Sequence, residues 1–138
     1  ESAKVTDSKK YGKGAAEGTL CATQWAEDMT YKDAVFGSAG NYSKEFKAKY
    51  GYVPPYQAAE SSAAVYVYAR AIEQANSFDT DNIRAALVKF NEETFYGKVK
   101  FAKEGNNIAK PMVLRQIQKN KYVPVAPIAS ASGKLMIN

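Results

Sequence analysis

Apolar residues recur along this chain with changing spacing, and each spacing predicts a different kind of element. Thr19-Leu20-Cys21-Ala22-Thr23-Gln24-Trp25 is a short, mostly apolar run that predicts a strand. Residues 26–40 show no period and carry Glu27, Asp28, Asp33 and a Gly37-Ser38-Ala39-Gly40 break, so an irregular stretch is expected there. Tyr42, Phe46 and Tyr50 then recur at i, i+4 and i+8, predicting a helix over 41–50 with Gly40 or Asn41 near its N-cap. Glu45 and Lys49 form a supporting pair on that helix, Gly51 supplies its stop and Pro54-Pro55 blocks continuation. Pro55 suits a first helical turn and opens the longest predicted helix, which runs to about Ala75. Tyr56, Ala59, Ala63, Val67 and Ala71 make one apolar seam on it, and Ala64, Tyr68 and Ile72 a second.

A third helix is predicted over about 80–90, capped by Asp79 or Thr80, with Ile83, Ala86, Leu87 and Phe90 on one face. After Phe90 the period drops to two. Val99 and Phe101 alternate with Lys98 and Lys100, Gly105-Asn106-Asn107 signals a turn, and residues 112–118 read as the next strand. Lys119-Asn120 makes a second turn, and Tyr122, Val123 and Val125 return as a short strand. The pattern predicts an α/β class with residues 1–17 as a polar lead-in, 18–127 as the folded part and 128–138 as a loose tail.

A length of 138 residues with 46% hydrophobic and 24% charged positions suits a globular chain able to bury a core. The net charge of +5 raises nucleic acid as a partner, but Arg70, Arg84 and Arg115 are the only arginines and the lysines are spread along the chain. Base reading prefers Arg, so a solvated surface is the better account and no nucleic-acid partner is expected. Without His, every triad that uses imidazole as base is excluded, and Cys21 is alone, so neither a disulfide framework nor a zinc site can be built. Gly12, Gly14 and Gly18 miss the dinucleotide fingerprint by one residue and precede a strand, which makes them a turn. Glu27/Asp28 and Glu92/Glu93 are adjacent pairs whose side chains diverge on any regular element, so they read as exposed carboxylates. The chain is expected to be no enzyme and to need no cofactor or metal. No apolar run approaches the roughly 20 residues needed to cross a bilayer. No signal-peptide pattern opens the chain, so any targeting segment is expected outside this sequence.

Three ordered stretches carry a resemblance. The first is Phe46-Lys47-Ala48-Lys49-Tyr50-Gly51-Tyr52-Val53-Pro54-Pro55-Tyr56-Gln57-Ala58-Ala59, continuing through Ala63-Ala64-Val65 to Ala71-Ile72-Glu73-Gln74-Ala75. The second joins Asp81-Asn82-Ile83-Arg84-Ala85-Ala86-Leu87 to Thr94-Phe95-Tyr96-Gly97-Lys98-Val99-Lys100-Phe101 and Gly105. The third is Pro111-Met112-Val113 with Gln116-Ile117 and Val123-Pro124-Val125-Ala126-Pro127. Over roughly 15–127 this order resembles the C-terminal part of the periplasmic solute-binding proteins of branched-chain amino-acid ABC importers, the leucine/isoleucine/valine-binding type.

The resemblance implies part of a type I periplasmic-binding fold, with helices on a small sheet and strands that cross a hinge between two lobes. It implies an extracytoplasmic protein that traps an amino acid or similar solute by hinge closure and delivers it to a membrane permease. A receptor lobe that signals to a protein partner is the alternative. Tyr56 and Gln57, at the start of the long helix, match the region that faces the ligand in relatives, and Trp25, at the end of the first strand, is a further ligand-binding candidate. Tyr56 equally suits packing at a helix start, and for Trp25 a core position carries more weight. A lobe without its partner would leave strand edges and apolar faces uncovered, so self-association into a dimer or larger assembly is expected, with strand exchange as one route.

Overall fold

The computed structural model describes residue 12 and residues 14–137; most of the predicted lead-in lies outside them. The chain forms two compact units. One holds the residues up to Gln24 and from Pro111 onward, the other Trp25–Lys110.

The first unit is a three-stranded antiparallel sheet in the order β1-β6-β7, built from β1 (Leu20–Thr23), β6 (Val113–Gln118) and β7 (Lys121–Ala126). Lys119 and Asn120 both take positive φ (52° and 62°), which gives the tight turn whose twist matches a two-residue hairpin. The Glu17 carboxylate accepts hydrogen bonds from both of their amides. Pro124 is tolerated because β7 has a ladder neighbour on one side only. Val113 and Ile117 are buried as their alternation predicts, Gln116 is buried on the opposite face, and a register shift leaves Val125 of β7 as the extra residue of a bulge.

A buried amide must be bonded, and Gln116 meets that demand by donating to the carbonyls of Gly18 and Met136 and accepting from the Met136 amide. Within the segment expected as a loose tail, Ile128–Ser130 forms a 3-10 turn. Beyond it the Ser132 and Gly133 amides donate to the Pro124 carbonyl, and Gln118 donates to that of Lys134.

The second unit holds three helices and two hairpins. The first hairpin, β2 (Lys32–Asp33) with β3 (Gly37–Ser38), occupies the stretch expected to be irregular. Its cause is Asp33, whose Oδ1 accepts from the Val35 and Phe36 amides and closes the turn. Ser38 rather than Gly40 or Asn41 caps α1 (Ala39–Tyr50), because its hydroxyl can accept from the Asn41 amide at 3.1 Å. Gly51 ends α1 at φ 82°. Then come α2 (Tyr56–Ala75) and α3 (Thr80–Lys89), the latter capped by Asp79, which accepts from two amides.

On α2 the first predicted seam is buried at Ala59, Ala63, Val67 and Ala71. The second is not: Ala64 and Tyr68 are exposed, and Tyr66 widens the buried face instead. The second hairpin pairs β4 (Asn91–Thr94) with β5 (Gly97–Lys100). Tyr66 and Val67 of α2 pack with Phe90 and with Val99 of β5, and Phe36, Leu87 and Phe101 close around them. The helices therefore rest on a small sheet. Glu92 and Glu93 belong to this hairpin, and Glu92 receives Arg70 and Gln74 from α2.

Candidate functional site

Pro55 starts α2 with extended backbone (φ −68°, ψ 159°) and offers no side-chain acceptor to the helix. The first turn contains no acidic residue, so the amides of Tyr56 and Gln57 and the positive end of a 20-residue helix are left without a protein cap. Tyr56 is half-buried and Gln57 exposed.

Close enough for Tyr96 to feel Glu60 and Tyr56 electrostatically is the loop between β4 and β5, Thr94-Phe95-Tyr96-Gly97. The Thr94 hydroxyl staples it, donating to the Gly97 carbonyl at 2.8 Å and accepting from the Tyr96 and Gly97 amides at 3.2 Å. Phe95 is fully buried, and its amide donates to Asp33 Oδ2 at 2.7 Å. Tyr96 is only 7% exposed, and its hydroxyl has no hydrogen-bond partner. Burial, with Glu60 and Tyr56 nearby, raises the Tyr96 pKa above the ordinary tyrosine value.

Lys110 completes the cluster. Asn107 ties the returning chain to β5: its Oδ1 accepts from the Lys100 and Ala109 amides and its Nδ2 donates to the Lys98 carbonyl. That brings the Lys110 stem over Gly97, where an added Cβ would lie 2.5 Å from Lys110 Cδ. The ammonium then sits 4.2 Å from the centroid of the Tyr96 ring, a cation–π contact. Burial lowers the Lys110 pKa to about 8, against the opposing pull of Glu60. Within one unit, then, an uncapped helix start, a buried phenol and a desolvated ammonium come together.

Of the residues singled out in the sequence, Tyr56 and Gln57 lie at this site. Trp25 is 3% exposed, and its indole N–H donates to the Phe95 carbonyl at 3.0 Å. Its ring packs edge-on to Tyr42 and Phe95 at 5.8 and 6.3 Å. Tyr42 in turn donates to the Ala58 carbonyl, two residues into α2 from Tyr56. Tyr96, Lys110 and Glu60 were missed, since no local pattern marks residues that only folding brings together. Among the described residues no group of three or more His, Cys, Asp or Glu is placed to hold a metal, and no helix is long and apolar enough to cross a membrane.

Comparison with known proteins gives this arrangement its family. A periplasmic binding protein from Burkholderia mallei superposes with a TM-score of 0.68 at 23% identity, over 88% of this chain and 33% of the other. A leucine-binding protein from Thermotoga maritima gives 0.63 at 25% identity, over 85% and 32%. An ABC transporter substrate-binding protein from Desulfitobacterium hafniense, in complex with Leu, gives 0.58 at 19%, over 88% and 38%. The chain thus spans about a third of the length of these proteins. The sequence model of the family described as periplasmic binding protein, whose members bind solutes and catalyse no reaction, matches residues 2–121. With that match over most of its length, the chain belongs to the periplasmic binding protein family.

Proposed function

We propose that this chain supplies part of the solute-binding component of an ABC importer for branched-chain or other amino acids or similar small solutes. The observation that carries the reading is the uncapped start of α2, with Tyr56 and Gln57 on it and the polar Tyr96–Lys110 cluster beside it. An uncapped helix N-terminus is ready to receive an anionic or acceptor group, and a half-buried tyrosine adds an apolar wall with a polar tip.

Two structural relatives support the reading by their own descriptions, one as a leucine-binding protein and one as a substrate-binding protein holding Leu. The mechanism is hinge closure around the solute: the closed form is favoured because only it touches ligand from both sides. Trp25 enters this mechanism as a support, its indole holding the Phe95 carbonyl and so the loop that bears Tyr96. The partner is a membrane permease, met from outside the cytoplasm. Titration of the complete solute-binding component that carries this chain with leucine, isoleucine, valine and the aromatic amino acids tests the proposal; heat of saturable binding to at least one is expected, and silence with all of them removes the transport reading.

A further inference from the structure

We infer that the β4–β5 loop is the common anchor of the two places where the chain enters and leaves the larger unit, with Trp25 and Lys110 as the positioning residues that fasten both to it. This deepens the solute-capture reading and rests on it only for the use to which the motion is put. The larger unit begins at Trp25 and ends at Lys110, so these two residues are its first and last.

Each is held by the same short loop. The Trp25 indole N–H donates to the Phe95 carbonyl at 3.0 Å, a buried bond, and the two rings meet edge-on at 6.3 Å. Lys110 lies across the next two residues, its ammonium 4.2 Å from the Tyr96 ring centroid and its stem over Gly97. The loop is fixed in turn by its own unit. Thr94 bonds both limbs of it, Asp33 accepts from the Phe95 amide, and the Phe95 ring stacks on Tyr42 of α1 at 4.2 Å. All four loop residues are buried, so releasing any of these contacts leaves polar groups or rings without cover.

Bending concentrates in the few residues that can absorb a backbone rotation without breaking such contacts. At the entry the first residue outside the anchor is Gln24, directly after β1. At the exit it is Pro111, followed by Met112, both exposed and both before β6. The ring of Pro111 fixes its φ, which leaves its ψ and the Met112 dihedrals to turn. Because one loop holds both crossings, freeing either loosens the other, and the coupling is reciprocal.

Hydrogen exchange read by mass spectrometry tests this in the complete solute-binding component that carries the chain, free of ligand. Trp25→Phe keeps an aromatic ring and removes the indole donor; Lys110→Met keeps the stem and removes the ammonium. Trp25→Phe is expected to speed exchange of the Ile108 and Ala109 amides by roughly tenfold, and Lys110→Met that of the Met29 amide, each at the crossing it does not occupy. Asp79→Ala, which weakens the unit through α3, should speed these amides no more than the rest of the unit. Exchange that rises only beside the substituted residue, or rises selectively at the crossings in Asp79→Ala as well, overturns the common anchor. Lys110→Met decides alone if Trp25→Phe does not fold. Leucine titration of the same proteins separates the anchor from the reading beneath it. Reciprocal exchange without leucine binding keeps the anchor and removes that reading, and leucine binding with purely local exchange does the reverse.

Discussion

Tyr96 and Lys110 both bear on stability at the level of single residues. A buried hydroxyl with no partner costs roughly 1–3 kcal/mol of desolvation, so Tyr96→Phe is predicted to leave the ligand-free protein as stable as wild type or up to about 1 kcal/mol more stable, read from urea midpoints. Lys110 has a folded-state pKa near 8, lowered from its ordinary 10.5 by burial. Between those values the unfolded chain binds a proton that the folded chain has released, so this residue makes stability rise with pH across that window. Wild type should therefore gain stability relative to Lys110→Met from pH 7.5 to 9.5; a constant difference between the two would contradict the burial. Tyr56 and Gln57 were legible in the sequence because Pro54-Pro55 announces a helix start next to them. Tyr96 and Lys110 were not, because β5 and the loop after it separate them and the Asn107 bonds bring Lys110 back onto Gly97.

Helices were easier to read than strands, for a physical reason that shows in each element. The three helices turn apolar stripes three and four residues apart inward, and the stops of the first two, Gly51 and Asn76, take the left-handed backbone that those residue types favour. By contrast β4, Asn91-Glu92-Glu93-Thr94, carries almost no strand propensity. It is a strand because β5 pairs with it and because Arg70 and Gln74 on α2 hold Glu92 in place. The two-residue strands around Asp33 are set by one carboxylate bridging its own turn and the Phe95 amide, a contact over 62 positions that no local window contains. The same reasoning makes the β4–β5 loop the sensitive element. Gly97→Ala must place a side chain at φ 141° and push Lys110 aside, and is predicted to cost about 1–3 kcal/mol in backbone strain, read from urea midpoints. Asp79→Ala removes the cap of α3 and should cost about 1 kcal/mol in thermal unfolding without touching ligand affinity.

At the scale of the whole molecule, the chain corresponds to about a third of its structural relatives, and it leaves its sheet unit at Gln24 and returns at Pro111. The exposed apolar residues of α2, Val65 and Tyr68, support the proposal that the chain self-associates through a second copy; light scattering should give a mass of at least a dimer, and a monomer at high concentration would remove it. The start of α2 is proposed as a wall of a solute site. Calorimetric titration of leucine into the complete solute-binding component that carries this chain, as wild type and as Tyr56→Ala, is the deciding measurement. Saturable binding to wild type is expected, weakening by roughly tenfold or more in the variant. Equal affinity in the two proteins, or no saturable binding to wild type, would contradict it.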